Sequence, residues 1–131
     1  MNNEYDGIER RKHKRVKVRL NVIFRKNEPL EVRLRTLDSE SRASMVDISE
    51  GGMSILSNLN IPVSTVLWIR FTLSKGDKES VSFYGTVEVL GKVVNSSVSG
   101  QDSYRLGITF LEMDEVSKRE IGNFVAVLDN P

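Results

Sequence analysis

The stretch VKVRLNVIFR, positions 16–25, limits the fold more than any other feature of this chain. Val16, Val18, Leu20, Val22 and Phe24 take alternate positions, and Lys17, Arg19, Asn21 and Arg25 fill the gaps, with Ile23 as the exception. A period of two puts these sets on opposite faces of an extended strand, one buried and one wet. The pattern recurs in SRASMVDIS and GGMSIL, then in VLWIRFTL (66–73), VSFYGTVEVLGKVV (81–94) and YRLGITF (104–110). Within 81–94, Val81, Phe83, Gly85, Val87 and Val89 alternate, and Gly91 reads as a bulge or bend. Phe24, Phe71, Phe83 and Phe110 fall where core residues should, and Trp68 reads as half-buried against a helix. Leu30, Val32 and Leu34 can form a further short strand. The segments around Asn27-Glu28-Pro29 and Pro62, SKGDKES (74–80) and NSSVSGQDS (95–103) read as polar turns.

After EMD the period changes. Ile121, Phe124, Val125 and Leu128 stand at i, i+3, i+4 and i+7, one stripe of an amphipathic helix. Asp114 suits the N-cap and Glu115 the first turn. Gly122 weakens such a helix by roughly 1 kcal/mol relative to Ala. About six strands followed by one helix predict an all-β fold: a small six-stranded antiparallel barrel, residues 16–111, with a C-terminal helix over 114–128.

With 131 residues, 39% apolar and 28% charged, the chain reads as one soluble domain able to bury a core. It has no cysteine, so neither a disulfide framework nor a thiolate-bound metal is expected. No apolar run is long enough to span a bilayer, so membrane insertion is not expected. The first eight residues, read as a flexible N-terminus, do not resemble a secretory signal. These features make the cytoplasm the expected location.

The net charge is only +1, yet residues 1–36 hold eleven Lys/Arg against five Asp/Glu, while residues 37–131 hold eight against thirteen. The field that attracts anions is therefore concentrated near the N-terminus. Its densest part, residues 9–15, contains an R-x-x-x-R spacing: Arg11 and Arg15 flank Lys12, His13 and Lys14. Farther on, DISEGG supplies Asp47, Ser49, Gly51 and Gly52 between two strand-like segments. Taken singly, the first motif reads as a solvated charge run and the second as a turn, in which Asp and Ser bond the backbone and Gly-Gly supplies positive φ.

Together, an R-x-x-x-R before the first strand, a D-x-S-x-x-G at a strand junction and a C-terminal helix resemble the PilZ domain, the bacterial receptor module for cyclic di-GMP. The likeness runs over about residues 9–128 and includes YRLGITF, whose Gly107 and Phe110 resemble the family's last strand. The resemblance implies a split-barrel type of fold. It also implies a basic arm over 9–15 that closes on cyclic di-GMP, with Arg11 and Arg15 as anchors. Asp47, Ser49, Gly51 and Gly52 would form the platform, with His13 and Gly107 as additional contacts.

The ligand's chemistry suits these residue types. Guanidinium groups offer forked donors to phosphates and to guanine O6 and N7. A carboxylate such as Asp47 accepts from guanine N1–H and N2–H2, and Ser49 can bond the base. A glycine at position 52 admits a ligand or another backbone closely. The resemblance further implies that Arg10, just before the motif, stands at the position that biases how many ligand copies bind, and its charge suits a second stacked copy, so an intercalated ligand dimer is expected. No cofactor is expected besides this ligand.

An enzyme is not expected. The chain has one His, no Cys, no nucleophile elbow and no phosphate-cradling loop. An RNA-binding barrel is the main alternative. Against it stand the acidic remainder of the chain and the lack of an exposed aromatic platform, with Tyr84 and Tyr104 the nearest candidates. A PilZ-like interaction module without ligand is a third reading, disfavoured because both motifs are present. A receptor module without an attached effector would act through a downstream protein. The resemblance points to motility, exopolysaccharide or secretion machinery.

Overall fold

The computed structural model describes residues 14–28, 40–76 and 80–129. The expected short strand at Leu30, Val32 and Leu34 lies outside these residues, as do Arg10, Arg11 and His13. Six strands form: β1 (Val16–Lys26), β2 (Ser41–Ile48), β3 (Gly52–Ser57), β4 (Val66–Gly76), β5 (Val81–Gly100) and β6 (Ser103–Glu112). One helix follows, α1 (Glu115–Asp129). The strands close into an antiparallel barrel in the order β1-β2-β3-β6-β5-β4, the architecture expected from the alternation.

The inward positions build one core. Val22, Met45, Ile48, Met53, Ile55, Leu67, Ile69, Leu73, Leu106 and Ile108 are essentially solvent-free. From α1, Ile121, Phe124 and Val125 join them, the stripe read from the 3.6 period. Burial of such side chains stabilises by about 1.5–3 kcal/mol each. Asp114 caps the helix: the Ser117 amide donates to its carboxylate at 2.7 Å.

Three expectations need correction. Residues 95–103 are not a long turn. β5 continues to Gly100, β6 starts at Ser103, and only Gln101 and Asp102 form the turn, with Asp102 at φ 54°. The ladder supplies backbone bonds that composition does not register. Phe83 is not a core residue but 73% exposed. A bulge between Leu73 and Ser74 pairs Leu73 with Gly85 and Ser74 with Phe83, leaving Tyr84 as the extra residue. One added residue exchanges the faces of a strand. Below the bulge Tyr84 therefore turns inward, edge-on to Phe124 at 5.4 Å between centroids, and Phe83 turns out. Gly85, at φ 136°, absorbs the distortion. Finally, Trp68 is half-buried, but its ring is covered by guanidinium groups: Arg25 lies 3.8 Å and Arg70 5.6 Å from its centroid.

Candidate ligand-binding corner

The two basic and acidic motifs, distant in sequence, meet in space. Arg15 donates from Nη1 to Asp47 Oδ1 at 2.8 Å. Arg105, on β6, donates from Nη2 to the other oxygen, Oδ2, also at 2.8 Å. The Asp47 side chain is only 13% exposed, against 29% for Arg15 and 49% for Arg105. Both oxygens of the covered carboxylate thus have a guanidinium donor in place of the lost water.

Irregular pairing puts Asp47 there. Met45 and Ile48, three apart, both point into the core. Strict alternation would send Asp47 inward with Met45. Between Met45 and Asp47 the β2–β3 register shifts, so Val46 is the extra residue. The β1–β2 ladder shifts at the same place, between Lys17 and Leu20. The bulge turns the carboxylate onto the outer face, a common way for a barrel to aim a polar side chain. Across that face run Asp47, Ser54 and Gly107 in register, with Asn95 beyond Gly107. The Asn95 amide lies over Gly107, 2.6 Å from where a first side-chain carbon would stand, so a side chain there would have to push it aside.

Ser49 is buried and holds the β2–β3 turn. Its amide donates to the Gly52 carbonyl at 2.8 Å, and its hydroxyl oxygen accepts from the Gly51 and Gly52 amides at 3.2 Å each. The Gly51 carbonyl accepts from the Phe110 amide at 2.9 Å, fastening the turn to β6. Neither Gly51 nor Gly52 has a positive φ. Gly52 is needed for space instead, because a Cβ there would fall on the Ile108 carbonyl oxygen. Gly52 is thus a close approach of backbone to backbone, and the pair does not make the left-handed turn expected from the motif.

The structure therefore brings together Arg15, Asp47, Ser49, Gly51, Gly52 and Gly107. Arg105 escaped the sequence reading. The signal was present: if Tyr104, Leu106 and Ile108 face one way, Arg105 faces the other, beside Gly107. At the neck of the arm, Lys14 pairs with Asp129 at the end of α1, 2.9 Å apart. A cavity of about 430 Å³ adjoins the turn, between Glu50, Gly51, Phe110 and Lys118. A roomier one, about 680 Å³, opens between Trp68 and Lys118, but Glu88, Glu112 and Asp114 line it and make it poor for phosphates. Among the described residues, no group of His, Asp and Glu is arranged to hold a metal ion, and no helix is long and apolar enough to cross a membrane.

Comparison with known proteins agrees with the fold. No curated relative matches by sequence. The PilZ domain of Escherichia coli YcgR, solved with c-di-GMP, superposes with a TM-score of 0.62 at 17% identity, over 92% of each chain. The Bacillus subtilis inhibitor of motility, MotI/DgrA, superposes with a TM-score of 0.65 at 15% identity. The alignment covers 92% of the present chain but 52% of MotI, so the chain spans about half of that protein. Borreliella burgdorferi PlzA in complex with c-di-GMP superposes with a TM-score of 0.53 at 13% identity, over 95% of this chain and 55% of PlzA. These likenesses establish the fold. The PilZ domain family model matches residues 9–127, nearly the whole chain, and the chain belongs to the PilZ domain family.

Proposed function

We propose that the chain is a receptor for cyclic di-GMP, with the ligand resting at the Asp47 corner under the arm formed by residues 9–15. The observation that carries this reading is the direct bond between Arg15 and Asp47, 32 residues apart, which joins the two motifs into one site. Arg11 and Arg15 bind phosphate and guanine O6 and N7. Asp47 accepts from guanine N1–H and N2–H2. Ser49, Gly51 and Gly52 fix the turn that presents Asp47, and Gly107 keeps the neighbouring surface low. His13 adds a phosphate contact. Arg10 holds a second, intercalated copy of the ligand.

Binding at this corner is an exchange. An anion offering only acceptors draws Arg15 and Arg105 away and strands a carboxylate that water barely reaches, which is costly. A guanine nucleotide returns donors to Asp47 while its phosphates take the arginines. The site thus favours a ligand that carries both. Arm closure makes a composite surface of ligand and protein, and a downstream protein that prefers it shifts the population. By resemblance that partner belongs to motility, exopolysaccharide or secretion machinery, and the chain works in the cytoplasm as a receptor without catalysis.

Calorimetric titration of cyclic di-GMP tests the reading. Micromolar or tighter binding is expected, with two ligands per chain, and the Arg11→Ala/Arg15→Ala double variant should abolish it. A ratio of one ligand per chain removes the role given to Arg10. Absence of binding to the wild-type chain overturns the receptor reading.

A further inference from the structure

A second cationic surface lies on the outer face of β1, β2, β4 and β5. Ile23 pairs with Arg42 on one side and Arg70 on the other, so these three residues form one cross-strand row. Arg19 stands on the same face of β1, four residues before Ile23 and about 13 Å away along the strand. A groove of about 420 Å³ runs among Arg19, Arg42 and Arg70, and among the described residues its lining contains no carboxylate. Among the described residues, ion pairs engage Lys14, Arg15, Arg25, Arg105 and Lys118, but none of these three arginines. Phe83, exposed by the bulge, closes one end of the groove opposite Ser74.

Glu88 stands opposite Arg70 in the β4–β5 ladder without closing an ion pair on it. Three exposed guanidinium groups that make no ion pair among the described residues, beside a half-buried Ile23 and an exposed phenylalanine, have the make-up of a protein-interface hot spot. Carboxylates fit the forked donors in pairs. A nucleic acid is the poorer fit. Its affinity grows with the number of phosphates touched along a track, and this patch is short, with acid in excess over the chain beyond residue 36. A single exposed phenylalanine also makes a meagre stacking platform.

We propose that this groove docks an acidic segment of a partner polypeptide, its carboxylates on Arg19, Arg42 and Arg70 and an apolar side chain against Ile23 and Phe83. The inference deepens the receptor reading by giving its partner a docking face, but the chemistry of the groove does not itself require cyclic di-GMP.

The test is a nuclear magnetic resonance titration of the isotope-labelled full chain with the peptide Asp-Glu-Asp-Leu-Glu-Asp-Glu, up to about 1 mM. Amide shifts are expected around Arg19, Ile23, Arg42, Arg70, Thr72 and Phe83. Affinity should fall at least tenfold in Arg42→Ala/Arg70→Ala and persist in Lys118→Ala, which removes an exposed charge elsewhere. Well-dispersed spectra of both variants establish that they fold. The proposal is overturned by no shifts, by shifts centred on Asp47 to Gly52, or by equal affinity for the Asn/Gln version of the peptide. Tighter binding of a short oligothymidylate in the same groove also overturns it. A separate titration with cyclic di-GMP, read at Asp47 and Gly51, tells failure of this inference apart from failure of the receptor reading.

Discussion

Arginine plays two opposite parts on this barrel. At the Asp47 corner, Arg15 and Arg105 both close on one carboxylate. Along the same two strands, β1 and β2, and on neighbouring β4, Arg19, Arg42 and Arg70 face solvent and make no ion pair among the described residues, although Glu88 stands opposite Arg70. The residue type is the same and so is the outer face. What differs is the bulge at Val46, which brings an aspartate to the surface at one end only. Committed charges hold a shape, whereas uncommitted charges remain available to a visitor.

Substitution should separate the two regions, and the largest effect should come from the corner's backbone. Gly52→Ala forces a methyl group onto the Ile108 carbonyl, which cannot swing aside as a side chain could. A loss of about 1–3 kcal/mol in urea denaturation is expected, with weakened ligand binding as the turn shifts. Full stability in this variant would mean that the two strands can move apart.

Asp47→Ala comes next. It frees Arg15 and Arg105, both exposed enough to regain water, so stability should fall by only about 1 kcal/mol. Binding of cyclic di-GMP should fall by at least tenfold, measured by calorimetry. Asp47→Asn sharpens the point, since it keeps the shape while removing the charge that the two arginines share.

Asp114 is a committed charge of another kind. Hydrogen bonds from the Ser117 backbone and hydroxyl, and from the Val116 amide, hold its carboxyl below the ordinary value of 3.8, against a small opposing effect of burial. A depressed folded-state value means that the ionised cap stabilises fully above the ordinary carboxylate range. That contribution is lost as pH falls from about 3.8 through the lower folded value. Asp114→Asn should therefore melt a few degrees below wild type near neutrality, and the gap should close in acid. A gap independent of pH would show that the cap works through its shape alone.

The smallest effect belongs to the groove. Arg42→Ala and Arg70→Ala should each change stability by no more than about 0.5 kcal/mol, with Arg70 the larger because it also approaches Trp68. A clear loss in either would mean that the guanidinium groups serve the fold.

Much of this was legible in the sequence, because burial imposes its period directly on residue order. The barrel strands, the helix stripe from Ile121 to Leu128 and the cap at Asp114 all follow from periodicity and local hydrogen bonding. The meeting of Arg15 with Asp47 followed from a family likeness rather than from the residues alone. What escaped was every place where a ladder slips. An extra residue at Val46 or Tyr84 leaves no mark on composition, yet it decides whether Asp47 and Phe83 face the core or the water. Arg105 escaped because its role depends on which strand β6 adjoins, a property of closure. The β5–β6 extension escaped because its polar residues gain their order from pairing rather than from burial.

Position 122 offers a last consequence. A side chain there would collide with the Glu50 carboxylate, 2.6 Å from where its first carbon would stand. Glu50 belongs to the same turn as Ser49, so the absent side chain in the helix is a socket for the platform. In most exposed helices Gly→Ala stabilises by up to about 1 kcal/mol. At Gly122 the added methyl would meet only the end of the exposed Glu50 side chain, which can swing aside, so the substitution should keep much of that gain while unseating the carboxylate. The empty position is the seat where the helix receives a carboxylate from the platform turn.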